Sequence, residues 1–297
     1  MIISIIIPIF NRIEVTKVGL SLLYASIANV PNSNSTCNFE VVVVDDGSTD
    51  GSSEWIRENH PSVHILKGDG NLWWSGAINV GSKYSLETLQ ADYLLLWNDD
   101  VIPADEYFIN ISEIISTTYL ENTILGSKIM TYEQPHLIWA LGGFFNKFSG
   151  SLGMIVENNN LYGSNIDCDW LNGMGTLIPS TIILKHNLWW DEVRFPQYHG
   201  DSDFTLRCKK KGVKITTSLN LTIYNRTEFT GLTKKENWKE FWNGLTSIRS
   251  FNNVKKDFLF YNIHGVFPIA YITMVKKYSL YIGGFIKNHV LGFAKFK

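Results

Sequence analysis

Cysteine is scarce in this chain, with three among 297 residues. An odd number without close spacing excludes a disulfide framework, a zinc knuckle and a dithiol redox pair, so Cys37, Cys168 and Cys208 read as thiols of a chain kept in a reducing cytosol. The seven histidines lack the spacing of a metal-binding helix. Ahead of Ile2-Ile3-Ser4-Ile5-Ile6-Ile7-Pro8 there is no basic stretch, and no small-residue cleavage site follows it, so it reads as a buried strand rather than a secretory signal. Internal repeats and low-complexity tracts are missing. Long apolar runs are missing too: Asn262, His264, Gly265 and Pro268 interrupt residues 258–275, short of the ~20 mostly apolar residues of a membrane span.

What is present is globular. A 45% hydrophobic and 18% charged composition rules out disorder over most of the length, and 297 residues suffice for one large domain with an appendage. The net charge of -2 hides an asymmetry. Residues 250–297 hold seven Lys against Asp257 alone, which is +6, and leave -8 for the rest. These lysines alternate with aromatic residues such as Phe258, Tyr271 and Phe293, a pattern that suits an anionic membrane surface and gives no reason to invoke nucleic acid.

Residues 2–8, 40–45 and 93–97 are short β-branched or Leu-rich runs without alternation, as expected of parallel strands covered on both faces. Helical patterns over Glu14–Ile27 and Ser75–Leu89 lie between them, giving βαβ order and loops gathered at the strand carboxyl ends. Asn32–Asn38 reads as a surface loop and Gly142–Gly153 as a hairpin or loop. Near Glu236, the residues Trp238, Phe241, Trp242, Leu245 and Ile248 recur at helical spacing, so the expectation is an α/β domain over 1–235 and a helical, basic-aromatic appendage over 236–297 lying on a bilayer face.

Carboxylates mark the strand ends. Asp45-Asp46 closes the second run and leads into Gly47-Ser48-Thr49-Asp50-Gly51, where capping explains some of the acids. Asn98-Asp99-Asp100 closes the third. Adjacent carboxylates repel unless a cation or donors compensate, so two such pairs favour a divalent ion with oxygen ligands. A third acidic set, Gly200-Asp201-Ser202-Asp203-Phe204, opens a helix that ends in Lys209-Lys210-Lys211-Gly212, with acids at the start and bases at the end.

These motifs, in this order, together with Ser4-Ile5-Ile6-Ile7-Pro8-Ile9-Phe10-Asn11-Arg12, resemble the successive signatures of family 2 glycosyltransferases of the GT-A fold, across roughly residues 3–230. Gly68-Asp69-Gly70-Asn71-Leu72-Trp73-Trp74-Ser75-Gly76 and Asp169-Trp170-Leu171-Asn172-Gly173-Met174-Gly175 resemble its bacterial rhamnosyltransferase-like branch, which builds O-antigen, capsule and other surface polysaccharides. The resemblance implies a Rossmann-like, mostly parallel sheet flanked by helices. It also implies a nucleotide-binding set of Pro8, Phe10, Asn11, Asp46 and Asn98. Asp99, with Asp100 beside it, would be the metal-binding carboxylate for Mg2+ or Mn2+, and Asp201 the catalytic base. Asp203 would be a secondary sugar contact or a cap. Two positions depart from the family pattern: Trp97 stands where the first Asp of Asp-x-Asp is usual, and Asn225 where a His is frequent.

Trp73, Trp74 and Trp170 are candidates for donor and acceptor sugar contacts, because aromatic faces suit the C–H faces of sugars, although core packing accounts for a Trp about as often. The implied activity is inverting transfer from a nucleotide-sugar, dTDP-rhamnose or a UDP-sugar, to a saccharide hydroxyl. The acceptor would be lipid-linked and the enzyme cytoplasmic, held peripherally at the inner membrane by its C-terminal region. Two alternatives are a sugar nucleotidyltransferase, disfavoured because no Gly-rich basic loop follows the first strand, and a non-catalytic nucleotide-sugar-binding membrane scaffold.

Overall fold

In the computed structural model, residues 1–31, 36–117, 120–156, 164–226 and 237–289 are described. The chain divides into two units, one of residues 1–144, 154–196 and 200–229, the other of residues 145–153, 197–199 and 230–297. The second thus joins residues 230–297 to two short earlier segments.

In the first unit, β1 (Ile2–Ile9), β2 (Asn38–Asp45), β3 (His64–Lys67) and β4 (Tyr93–Leu96) form a parallel array in the order β3-β2-β1-β4. Side chains of β1, β4 and the second half of β2 are buried on both faces, which is why the sequence shows runs rather than alternation, while the edge strand β3 is only half-buried. Three crossover helices make the parallel pairing possible: α1 (Ile13–Ala28) after β1, α2 (Ser52–Asn59) between β2 and β3, and α3 (Trp73–Glu87) before β4. α1 and α3 lie within a residue or two of the expected limits.

Beyond β4 the sheet is mixed. β5 (Val101–Pro103), α4 (Tyr107–Thr117), β6 (Thr123–Thr131) and β7 (Ile138–Ala140) lead to the hairpin β8 (Gly143–Asn146) and β9 (Ser151–Met154). Then come β10 (Asn165–Asp167), β11 (Thr176–Pro179), α5 (Ser180–His186), α6 (Gly200–Lys210) and β12 (Lys214–Asn225). β11 runs antiparallel between β4 and β6, while β6 and β12 are parallel to each other.

Close approach of helix to sheet depends on small residues. α3 buries Ser75, Gly76, Ala77, Gly81, Ser82 and Ser85, and a Cβ on Gly81 would stand 2.5 Å from Ile6 Cγ2. The Ser85 hydroxyl meets that of Ser4 on β1 at 2.6 Å. On the other face α1 buries Thr16, Gly19, Leu20 and Leu23 at helical spacing. There a Cβ on Gly19 would fall 2.0 Å from the Asp99 carbonyl oxygen, so α1 lies directly on the turn after β4.

The second unit contains α7 (Trp238–Thr246), α8 (Val254–His264) and α9 (Ile269–His289). Asn237 and Asn253 cap α7 and α8 by accepting from Glu240 N and Lys256 N, each at 2.9 Å. Residues 258–275, read from sequence as one apolar stretch, are split between α8 and α9 at Gly265–Pro268, while Asn262 and His264 lie within α8. The hairpin and helix expectations for 142–153 and 236 onward hold; part of the Asn32–Asn38 loop lies outside the described residues.

Candidate active site

β1 passes to β2 and β3 on one side, and β4 lies on its other side, so the carboxyl ends of β1 and β4 flank the point where strand order reverses. Open α/β sheets bind ligands at such a point. The chain leaves β1 through Phe10, which is 38% exposed, and Asn11, whose φ of 49° is left-handed. Asn11 holds that turn against the turn after β2: its amide donates to Ser48 Oγ at 2.9 Å, and its Oδ1 accepts from Thr49 N at 2.8 Å. Pro8 lies within β1, half-buried.

The paired aspartates after β2 have separate tasks. Asp45 closes its own turn, accepting from Ser48 N at 2.8 Å and from the Ser53 hydroxyl. Asp46 reaches the Gly68–Trp73 loop instead, accepting from Gly70 N (2.9 Å) and Leu72 N (3.2 Å) on Oδ1 and from Trp73 N (3.0 Å) on Oδ2. Gly68 must be glycine for this carboxylate to fit, since a Cβ there would be 2.5 Å from Asp46 Oδ1. Trp73 enters α3 with φ 55°, a conformation costly for a bulky residue, and the bond to Asp46 offsets part of that cost.

Trp74 then links the two halves of the site. Its indole Nε1 donates to Asn98 Oδ1 at 3.2 Å, after β4. Its ring lies on Gly173, where a Cβ would come within 2.1 Å of Trp74 Cζ2. Gly173 N in turn donates to Asp201 Oδ2 at 3.1 Å, and Ser202 N donates to Asp201 Oδ1 at 2.7 Å. Asp201 is half-buried in the first turn of α6, at the end of the helix where its backbone N–H groups point outward. The start of α6 is seated by α3: a Cβ on Gly200 would be 2.2 Å from Ser75 Oγ, which itself donates to Phe195 O at 2.6 Å. A continuous path of contacts thus runs from Asp46 through Trp73 and Trp74 to Asn98 on one side and to Gly173 and Asp201 on the other.

Asp99 and Asp100 are bridged by an arginine. Arg12 Nη1 lies 3.1 Å from Asp99 Oδ1 and Nη2 lies 2.9 Å from Asp100 Oδ2. Asp99 also accepts from Thr16 Oγ1 at 3.1 Å. The Asp99 carboxyl is raised to about 7, by burial first and by the neighbouring Asp100 charge, against the lowering effects of Arg12 and of the Thr16 hydrogen bond. Arg12 was part of the quoted first motif but carried no assigned role; an Arg after β1 facing paired carboxylates after β4 was the available signal.

Whether these residues fit a divalent cation turns on their remaining oxygens. Among the described residues no group of three or more His, Cys, Asp or Glu is clustered to hold a metal ion. Asp99 has one oxygen on Arg12 and the other on Thr16. Asp100 gives Oδ2 to Arg12, and no bond to its Oδ1 accompanies it. Mg2+ is commonly held by one or two carboxylates plus substrate phosphates, so the set fits a cation shared with a ligand's phosphates, and Asp100 Oδ1 is the carboxylate oxygen of the pair that carries no other bond among the described residues. Asn225 ends β12 opposite Val101, buried, with no hydrogen-bond partner on Nδ2.

Two of the expected sugar contacts are corrected. Asp203 is fully buried and bound by Arg207 Nε at 2.8 Å, one turn on in α6, so it stabilises that helix rather than meeting a sugar. Trp170 is 6% exposed and spends its indole N–H on Phe144 O at 3.2 Å, which makes it part of the packing. Trp97 is likewise core, its ring against Tyr107 and Phe108. Trp73 and Trp74 remain half-buried at the site, with Trp74 acting as a bridge.

The family profile described as "Glycosyl transferase family 2" matches residues 4–163, more than half of the chain. The chain belongs to that family. It is a glycosyltransferase, and it has the GT-A fold that its motifs implied. A crystal structure of residues 1-349 of S. aureus TarS in complex with UDP-GlcNAc superposes with a TM-score of 0.52 at 16% identity, covering 97% of this chain and 81% of that one. A crystal structure of GalNAc-T7 with UDP, GalNAc and Mn2+ gives 0.60 at 11% identity, covering 97% of this chain and 58% of that one. At these identities the likeness is one of fold. A "Low-salt glycan biosynthesis hexosyltransferase Agl10" of Haloferax volcanii is 36% identical over 62 residues, 21% of this chain and only a fifth (20%) of that relative.

Proposed function

We propose that this glycosyltransferase transfers a sugar with inversion from a nucleoside-diphosphate donor, dTDP-rhamnose or a UDP-sugar, to a hydroxyl of a saccharide. We further propose that the acceptor is lipid-linked and met at the inner face of the cytoplasmic membrane, in bacterial surface polysaccharide synthesis. One observation carries the reading: the path from Asp46 through Trp73 and Trp74 joins the strand-end loops to Asp201. UDP in the TarS and GalNAc-T7 structures supports a uridine donor, and the rhamnosyltransferase-like motifs support the dTDP sugar.

In the proposed reaction Asp201 takes the acceptor hydroxyl proton as that oxygen attacks the anomeric carbon. The bond from the anomeric carbon to the diphosphate breaks, and its electron pair leaves with the nucleoside diphosphate. Phe10 and Asn11, on the turn after β1, and Asn98, held by Trp74, border the nucleotide and donor side. The Mn2+ of the GalNAc-T7 structure supports a divalent ion here, and Asp100 is the residue that would hold it. Such an ion would neutralise charge on the leaving diphosphate. Arg12, fixed by Asp99, keeps a positive charge on the same edge.

General-base assistance is worth roughly 10²- to 10⁴-fold, so Asp201→Asn should lose about that factor in transfer while binding nucleotide as the parent does. A panel of nucleotide sugars, read by thermal shift with and without Mn2+ or Mg2+ and then by transfer, identifies the donor. Near-normal turnover by Asp201→Asn overturns the base assignment. Nucleotide binding without turnover of any donor favours the scaffold.

A further inference from the structure

The second unit leaves much apolar surface uncovered. Of 26 exposed large hydrophobic side chains among the described residues, 14 fall within 237–289, too many to be the scattered surface apolars of an ordinary domain. On α9 they are ordered. Tyr278, Tyr281 and Phe285 enter an aromatic cluster with Phe241 and Leu245, which fixes the rotation of the helix about its axis. Turned away from that cluster, Ile272, Val275, Ile282 and Ile286 are 65%, 65%, 41% and 38% exposed, and at 3.6 residues per turn they fall within a sector of about 80°. Lys276 and Lys287 are exposed along one edge of this stripe, next to Ile269 and Leu280, which are 45% and 67% exposed just outside that sector.

The charge of the segment from residue 250 onward is one-sided. Asp257 is the only acidic side chain from residue 250 onward, and it is 1% exposed, held by Lys277, by Tyr278 Oη at 2.8 Å and by His199 Nε2 at 3.1 Å. Its charge is therefore hidden, and the exposed lysines Lys255, Lys276 and Lys287 face solvent without carboxylates from their own segment. No helix among the described residues is long and apolar enough to cross a membrane. A helix of 21 residues with an outward apolar stripe edged by lysines has the features of one that lies in a lipid interface.

We propose that α9 docks on an anionic lipid surface, with the Ile272–Val275–Ile282–Ile286 stripe in the acyl boundary and Lys276 and Lys287 against the lipid phosphates. This deepens the functional reading only in naming the surface that would bring the enzyme to a lipid-linked acceptor; the docking itself needs no sugar.

The test is co-sedimentation of the full chain with phosphatidylcholine vesicles and with vesicles containing phosphatidylglycerol. The expected result is binding to the anionic vesicles that weakens with salt, is lost in Ile272→Asp/Val275→Asp, and falls about 30-fold or more in Lys276→Glu/Lys287→Glu. Both pairs are on the surface, so circular dichroism and melting temperature should match the parent. Failure of the parent to bind anionic vesicles, or parent-like binding by the Ile272→Asp/Val275→Asp chain, overturns the proposal. So does a parent dimer in light scattering that the same pair dissociates, without vesicle binding, since the stripe would then meet a second copy. Vesicle binding without donor turnover fails the transfer reading alone, and turnover without vesicle binding fails this one alone.

Discussion

Asp46 was expected from its resemblance to contact the nucleobase, yet its carboxylate accepts three backbone amides of the Gly68–Trp73 loop. Asp46→Asn separates these roles. With the amide oxygen in place of Oδ1, the bonds from Gly70 and Leu72 survive in neutral form, while the new NH2 faces Trp73 N, donor against donor. A hydrogen bond to a charged group is worth roughly 1.5–3 kcal/mol and a neutral one roughly 0.5–1.5. Two weakened bonds and one lost therefore cost about 5 kcal/mol, out of a total stability on the order of 5–15. Urea denaturation measures the loss directly, and isothermal titration with UDP or dTDP measures binding to the folded fraction. Stability within about 0.5 kcal/mol of the parent, the range of an ordinary surface change, would refute the loop-holding role. If nucleotide binding vanished at the same time, Asp46 would be a ligand contact first and a structural one second.

Three further outcomes follow from the packing. Gly173→Ala puts a Cβ where Trp74 Cζ2 now lies, 2.1 Å away, and should lower transfer at least about tenfold by moving the Asp201 contact, since small misplacements at a reacting centre cost up to ~100-fold; transfer kinetics and indole fluorescence report it. Gly19→Ala meets the Asp99 carbonyl at 2.0 Å, a backbone atom that cannot swing aside, so α1 must lift from the site at a cost of about 3 kcal/mol in chemical denaturation. For pH, burial holds the His199 imidazole down from 6.5 to about 4, partly opposed by its bond to Asp257, with Lys256 and Lys277 also facing that carboxylate. The unfolded chain then takes up the proton first, so this contribution is full above 6.5 and is lost as pH falls toward 4. A melting-temperature profile over that window should fall, and His199→Gln should flatten it.

Strands and crossover helices were legible because their signals are local: Val41–Val44 and Leu94–Leu96 are covered on both faces, and apolar runs bounded by acids say so without reference to the rest of the chain. Strand direction beyond β4 was not legible, since β11 inserts antiparallel between β4 and β6 through a long-range choice that Thr176-Leu177-Ile178-Pro179 does not encode alone. In the site, the motifs located Asp46, Asn98, Asp99, Asp100 and Asp201 but not their partners.

That difference has a physical cause. A motif names residue types at spacings, whereas a carboxylate's task depends on which donors surround it, and these come from distant segments. Asp201 and Asp203 are two positions apart and chemically identical. One helical step turns Asp203 inward to Arg207, fully buried, while Asp201 keeps a partly open face at the helix start with Gly173 N on one oxygen. Likewise Asp99 and Asp100 share one arginine, but Thr16 on α1 takes the second oxygen of Asp99 alone. In the proposed mechanism, the assignment of base against scaffold, and of cation-facing carboxylate against arginine anchor, therefore rests on Gly173, Thr16 and Arg12. None of these would be picked out by a search for catalytic residue types, and all of them act by filling or withholding a lone pair.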